Sequence, residues 1–348
     1  MSASTPNPSK PFVIPVFIPH AGCPHQCVFC NQKAITGQAQ PPPLEKIEAH
    51  IEQFLGYCRP NRSTIQISYY GGNFLGLPLD QCADLLRLAT RFVEDGAVTS
   101  LRFSTRPDTV TPERLEMLKE FPVGTVELGV QSMDDQVLQT ACRGHTAADT
   151  CTAVRRLKDA GLDIGLQMMI GLPGDRPTTA MGSAQQLADL QPDFVRIYPT
   201  LVLANSRLAR WYTQGRYRPL ELEAAVDLTA RLYRTFQRKK ITVARMGLQA
   251  SKELHLGEQR LAGPYHPAFG HLVYARIFRD KIVNHLKLKN KLSFKALEIK
   301  AHPSNLSRVR GHKNQNLAHY RAQFNLESVN LVPDPAVALD DVEIYCTG

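Results

Sequence analysis

The sequence predicts an α/β protein: a partial (β/α)6 TIM-type barrel followed by a basic α+β extension. Three observations lead there. Strand-like and helix-like segments alternate six times over the first two-thirds of the chain, the pattern of a parallel sheet with helices outside it. Each strand-like segment has one apolar face and one polar or small face. Flat doubly wound sheets bury both faces, whereas this asymmetry suits a curled sheet whose lumen holds a polar ligand. Finally, Lys and Arg concentrate late in the chain, which marks a second unit.

Strands are expected at residues 12–19, 64–70, 101–105, 125–130, 164–170 and 194–199. In Leu101-Arg102-Phe103-Ser104-Thr105-Arg106 the residues Arg102, Ser104 and Arg106 share a face. In Val126-Glu127-Leu128-Gly129-Val130-Gln131 the shared face is Glu127, Gly129 and Gln131. Ile164, Leu166, Met168 and Ile170 alternate with Gly165, Gln167 and Met169. If the apolar positions pack on helices, the polar ones line the lumen. Helices are expected at 44–57, 79–94, 112–120, 147–160, 178–190 and 220–238. Thr111-Pro112 is an N-cap followed by Pro at the first helical position, and Asp159-Ala160-Gly161 closes a helix. Six units make an incomplete barrel, whose active site belongs at the C-terminal ends of the strands.

With 43% hydrophobic and 21% charged residues in 348, the chain has a globular composition, and disorder or low complexity is excluded. Roughly 150 residues per domain gives about two domains. The expected division is a disordered N-terminal tail at 1–11, a barrel at 12–218 and a basic domain at 219–348. Net charge is +9, but residues 231–321 alone hold 20 Lys or Arg against 4 Asp or Glu, with seven of the eleven histidines. The acidic tail, 325–348, either wraps back or frays. The long uncharged stretch 11–32 is broken by Pro15, Pro19 and Pro24, so no membrane span is expected. Residues 1–10 have no apolar signal core, which points to a cytoplasmic protein with reduced thiols.

Of eight cysteines, Cys23, Cys27 and Cys30 form C-x3-C-x2-C directly after the first strand; Cys58, Cys82, Cys142, Cys151 and Cys346 are scattered. Three thiolates on one short loop can converge on a cuboidal iron–sulfur cluster. No fourth cysteine is near. One iron would stay open, able to chelate a small molecule through amine and carboxylate groups. The competing reading is structural zinc with His20 or His25 as fourth ligand, although such sites pair their ligands in two knuckles and no second knuckle is visible. Glu127 in the lumen needs a partner, which Arg102, Arg106 or Arg143 could supply.

The sequence Cys23-Pro24-His25-Gln26-Cys27-Val28-Phe29-Cys30, with an aromatic before the last cysteine, resembles the radical S-adenosylmethionine (radical SAM) superfamily. Further motifs are similar to the radical SAM part of the Elongator catalytic subunit family. They are Tyr70-Gly71-Gly72-Asn73-Phe74, Ser104-Thr105-Arg106-Pro107-Asp108, Val126 through Ser132, Arg143-Gly144-His145-Thr146, Gly171-Leu172-Pro173-Gly174, Ile197-Tyr198-Pro199-Thr200 and Tyr265-His266-Pro267-Ala268-Phe269-Gly270. The resemblance spans roughly residues 12–283. It implies a [4Fe–4S] cluster on Cys23, Cys27 and Cys30, with SAM on the fourth iron, cleaved reductively to a 5′-deoxyadenosyl radical. It also implies cofactor contacts at Gly71, Gly72 and Asn73, at Gln131 and Arg143, and at Tyr198 near adenine; Ser104 and Arg106, by their inward parity, are candidate SAM or substrate contacts, and Phe29 packs near adenine or makes a generic apolar contact. Asn73 stands where the superfamily usually has an acid. Two features depart from the Elongator pattern: a narrower first cysteine spacing, and no residues after the basic region for an acetyltransferase domain. The resemblance therefore carries over cluster, cofactor and fold, and not the acetyl transfer.

His145 and His266 read as hydrogen-bonded structural histidines, and residues 265–270 as a domain-interface loop. The basic region recruits polyanions through phosphate contacts. Tyr265, Phe269, Tyr274, Phe278, Phe294 and Tyr320 interleave it, which suits stacking on unpaired bases. The resemblance turns this toward transfer RNA. The alternative for the same charge is an interface with an acidic electron donor of flavodoxin or ferredoxin type. The leading expectation is thus a radical SAM enzyme that modifies RNA. A small-molecule or peptide substrate, or a non-catalytic RNA-binding protein with a structural metal, are the rivals.

Overall fold

The computed structural model describes residues 11–18, 22–31, 42–58, 63–249, 259–289 and 294–347. The expected N-terminal tail, Pro11 apart, and the candidate zinc ligand His20 lie outside the described residues. Six parallel strands follow the sequence reading closely: β1 (Phe12–Phe17), β2 (Ile65–Tyr70), β3 (Ser100–Thr105), β4 (Val123–Gln131), β5 (Asp163–Ile170) and β6 (Phe194–Pro199). A short β7 (Val202–Leu203) follows, then a seventh parallel strand, β8 (Thr242–Met246). The sheet order is β1-β2-β3-β4-β5-β6-β8, a curled half-barrel of seven strands rather than the expected six. β8 escapes sequence reading because it is an edge strand directly after Arg238-Lys239-Lys240. Thr242 and Ala244 are exposed, so it lacks the apolar face that announces the others.

Helices cover the outside: α1 (Leu44–Leu55), α2 (Leu79–Glu94), α3 (Pro112–Leu118), α4 (Asp135–Thr140), α5 (Ala147–Asp159), α6 (Pro177–Asp189), α7 (Arg207–Thr213) and α8 (Leu222–Arg238). Local chemistry sets their starts. The Thr111 side chain accepts from the Arg114 N–H ahead of α3, Asp134 from the Val137 N–H ahead of α4, and Thr146 with Asp149 forms a capping box on α5. The strand residues facing these helices, among them Ile14, Ile67, Leu101, Val126, Leu128, Ile164, Val195 and Ile197, are fully buried. Each such side chain contributes about 1.5–3 kcal/mol by leaving water. The opposite faces turn into the lumen, as the alternation predicts.

Past β8, β9 (Arg260–Ala262) pairs antiparallel with β7. The long α9 (Phe269–Lys289) then leads to β10 (Ala296–Ala301), α10 (Leu306–Arg310), α11 (Gln315–Phe324), β11 (Ser328–Pro333) and β12 (Glu343–Thr347). β10 is central, parallel to β11 and antiparallel to β12, so the acidic tail wraps back onto the extension. A second core holds Phe278, Ile282, Leu286, Leu297, Ile299, Val309 and Tyr320. Phe269, Leu272 and Val273, at the other end of α9, belong to the barrel core, as do α8 residues such as Leu232 and Phe236. The barrel core thus extends beyond residue 218, and α9 is common to both cores.

Candidate active site

The cysteine loop leaves the C-terminal end of β1. The Cys30 N–H donates to the Cys27 carbonyl (3.1 Å), the Val28 N–H to the Ala141 carbonyl (3.0 Å) and the Leu208 N–H to the Val28 carbonyl (2.8 Å). The middle of the loop is therefore clamped between the end of α4 and the start of α7. Cys27 is buried, Cys30 half-buried and Cys23 exposed. Gly22 enters the loop at φ +70°, and a Cβ there would lie 2.2 Å from the Asn73 carbonyl oxygen, so no larger residue fits.

Asn73 ties this loop to the neighbouring strands. Its Nδ2 donates to the Gly22 carbonyl (2.8 Å); its Oδ1 accepts from the Arg106 N–H (2.9 Å) and the Thr105 hydroxyl (2.7 Å), and the Thr109 hydroxyl lies 2.9 Å away. The side chain is fully buried. Both ends of its amide are engaged inside the protein, which makes it a latch between the cysteine loop and the end of β3. Gly71 and Gly72 precede it at φ +81° and +65°, turning the chain out of β2.

A cationic cup faces the thiols. Arg143 donates from Nη1 to the Cys27 Sγ (3.4 Å) and from Nη2 to the Gly129 carbonyl. Arg106, 1% exposed, grips Asp108 with Nε and Nη2 (2.9 and 3.0 Å), while its Nη1 is buried without a partner. The Arg143 Nε and both ring nitrogens of His145 are likewise buried and unpaired. Burial, then Arg143 and Arg106, push the His145 pKa down to about 3, so the ring is neutral. Although Cys23 is at the surface, the protein beside it withdraws water and raises its thiol pKa, with Arg143 opposing. Gly144, at φ +77°, lets His25 of the cysteine loop lie directly over it; a Cβ would meet the ring at 2.2 Å.

The lumen is organised around Glu127, 3% exposed. Arg102 reaches its Oε1 from Nη2 (2.6 Å) and Arg196 its Oε2 from Nε (2.6 Å). The Tyr70 hydroxyl donates to Oε1 (3.2 Å), and Arg196 also reaches the Tyr70 and Tyr198 hydroxyls, each at 3.3 Å. Burial works against the Arg196 charge, but Glu127 and the two phenols outweigh it and its pKa is raised. One carboxylate held between two guanidinium groups leaves the lumen positive. Phe194, beneath the Arg102 guanidinium (4.6 Å), closes the floor against Gly165.

Sequence reasoning foresaw Arg102 as a partner of Glu127 but not Arg196; the other two candidates, Arg106 and Arg143, serve Asp108 and Cys27. The signal was available, because Phe194, Arg196 and Tyr198 alternate on one face of β6. Gln131, buried at φ +71° after a register break in β4, is a strained non-glycine residue that accepts from Gln167 Nε2 (3.3 Å). Such outliers cluster at functional sites. Ser104 sits beside Glu127 in the register, and Phe29 packs with the apolar cluster of Val28, Val137 and Leu208. The expected site residues thus gather at the strand ends around the mouth.

Three thiols on a clamped loop, with two guanidinium groups and unpaired buried donors facing them, fit an anionic thiolate cluster. Each thiolate of a cuboidal cluster binds a different iron, so the three need not converge on one ion. Among the described residues no group of three or more His, Cys, Asp or Glu is placed to hold a single metal ion.

Comparison with known proteins agrees with this geometry. The sequence profile of the Radical SAM superfamily matches residues 17–185, and that of the Radical_SAM C-terminal domain residues 192–279. An uncharacterised protein of Methanocaldococcus jannaschii is 27% identical over 271 residues, 72% of this chain and 82% of that protein. The tRNA uridine(34) acetyltransferase of the same organism is 27% identical over 256 residues, and Elongator complex protein 3 of Saccharomyces cerevisiae 26% over 261. Each match covers 62% of this chain, which spans only 47% and 46% of these two relatives. In fold, the chain is similar to the archaeal Methanocaldococcus infernus Elp3 with an N-terminal deletion, at a TM-score of 0.63 and 22% identity, over 79% of this chain and 64% of that one. With consecutive profiles running from the first strand into α9, and a triple-cysteine loop at the mouth of a curled parallel sheet, the chain belongs to the radical SAM superfamily.

Proposed function

We propose that this radical SAM enzyme modifies RNA, in particular transfer RNA, by hydrogen abstraction. Its cofactors are a [4Fe–4S] cluster and SAM. When bound, they supply a 5′-deoxyadenosyl radical once a one-electron donor of flavodoxin or ferredoxin type has delivered its electron. Cys23, Cys27 and Cys30 would hold the cluster. Arg143 and Arg106 place positive charge beside the thiolates, and Asn73 fixes the loop that carries them. Gly71, Gly72, Ser104, Gln131, Phe29 and Tyr198 surround the mouth where SAM would bind. Glu127, Arg102 and Arg196 keep the lumen polar and positive, which suits an anionic substrate.

The RNA reading is carried by one observation: relatives whose names specify tRNA align with 62% of this chain at 26–27% identity. The Bacillus subtilis heme chaperone HemW, 26% identical over 58% of the chain, supports a second reading with a small-molecule partner. The anaerobically prepared protein, given dithionite and SAM, is expected to release 5′-deoxyadenosine, and Cys27→Ala to abolish both the cluster and that product. Mass spectrometry of tRNA nucleosides from cells with and without the protein then decides the substrate. Identical nucleoside profiles would rule out the tRNA reading while leaving SAM cleavage intact.

A further inference from the structure

A group of basic side chains lies apart from the cysteine loop. His266, in the loop between β9 and α9, meets His312 edge to face, with ring centroids 5.5 Å apart. His271, in the first turn of α9, is close enough to both to act on them electrostatically. Arg308 of α10 completes the group; its guanidinium stacks on Tyr274 (4.2 Å) and its Nη1 donates to Asn305 (2.8 Å). All four are half-buried.

The placement is built rather than incidental. His312 follows Gly311 at φ +77°, where a Cβ would lie 2.8 Å from Asn316. Asn316, 1% exposed, pins that turn to α9 by donating to the Ala275 (2.9 Å) and Val309 (3.2 Å) carbonyls. His266 accepts the Ala268 N–H on Nδ1 (3.1 Å), which leaves the proton of the neutral ring on Nε2.

The charged groups acting on His266 are His271 and His312, and those acting on His271 are Arg308 and His312. Lys313 is exposed next to His312, and Gln315 at the start of α11 is uncharged. Among the described residues no carboxylate is among the charges acting on His266 or His271, and gathering basic groups in this way costs stability through self-repulsion, unless an anion occupies the centre. Position narrows the anion. Tyr265 packs with Leu201, Leu203 and Leu248, which follow β6 and β8. Phe269 lies on Gly247, at the end of β8. The group therefore stands on the rim of the barrel mouth, beside the strand ends that bear the site.

We propose that His266, His271, His312 and Arg308 form a clamp for a phosphodiester of the RNA strand whose neighbouring nucleotide enters the barrel. The clamp rests on the reading of RNA as substrate. Burial and mutual repulsion hold His266 and His271 below the ordinary histidine pKa, and a bound phosphate acts in the opposite direction. Binding therefore takes up protons, and affinity rises as pH falls.

The test is fluorescence anisotropy of an unmodified tRNA transcript with the full chain at constant ionic strength. Wild type is expected to bind about ten-fold more tightly near pH 6 than near pH 8, as charged hydrogen bonds replace neutral ones. The His271→Gln/His312→Gln double variant should lose that gain, with a salt slope shallower by about one phosphate contact near pH 6. His312→Arg, permanently charged, should restore much of the low-pH affinity near pH 8; it decides the matter if the double variant folds poorly. An unchanged pH gain in the double variant, or no gain near pH 8 in His312→Arg, overturns the clamp and leaves RNA binding standing. No binding by wild type at either pH overturns the RNA reading and the clamp with it.

Discussion

Asn73 carries more of the site's geometry than its size suggests. Replacing it with Ala would strip the Gly22 carbonyl, the Arg106 N–H and the Thr105 hydroxyl of a buried partner at once. Buried groups left unpaired cost about 1–3 kcal/mol each, partly relieved by relaxation. Asn73→Ala is expected to lower unfolding stability by about 2–4 kcal/mol, read from the denaturant midpoint, and to reduce iron retention on gel filtration. A variant with wild-type stability and iron content would remove the latch from the account. None of this was legible along the chain, because Asn73 meets Gly22 and Thr105 across 51 and 32 residues. The three cysteines were legible because their spacing is local. Arg196 lies between these cases: strand parity was enough to put it in the lumen but was not used, and only the fold shows that Glu127 takes Arg196 as its second guanidinium rather than Arg106 or Arg143.

Among the elements, those with a clean two-residue or helical rhythm were readable, and those that change surroundings midway were not. β8 trades its apolar face for an exposed edge. α9 offers Phe269, Leu272 and Val273 to the barrel and Phe278, Ile282, Val283 and Leu286 to the terminal core, so no single stripe runs along it. That division can be tested. Val273→Ala and Ile282→Ala each remove a fully buried side chain and should cost roughly 1–5 kcal/mol. Hydrogen exchange should speed up mainly in β8 and α8 for the first, and mainly in β10 and α11 for the second. The same exchange pattern in both variants would mean that α9 joins the two cores into one cooperative unit.

For the whole molecule, charge counted in a window overstates the charge presented to solvent. Arg276 pairs with Glu223 and Asp227, Lys281 with Asp341 and Lys295 with Glu327, and all four carboxylates lie outside residues 231–321. The acidic tail is thus both counterion and scaffold for the basic unit. Ending the chain after Asn325 removes β11 and β12 together, leaving β10 without either neighbour. Limited proteolysis of that form is expected to digest residues beyond α9 while sparing the barrel; protection of β10 would show that the tail is dispensable.

The shared helix has one more consequence. With 21 residues it extends about 32 Å; its first turns pack in the barrel core, and Phe278 through Leu286 pack in the terminal core. Anything held on the terminal unit is therefore kept at a set stand-off from the barrel opening. On the RNA reading proposed above, choosing which nucleotide is reached becomes a matter of measurement, with the helix as the gauge.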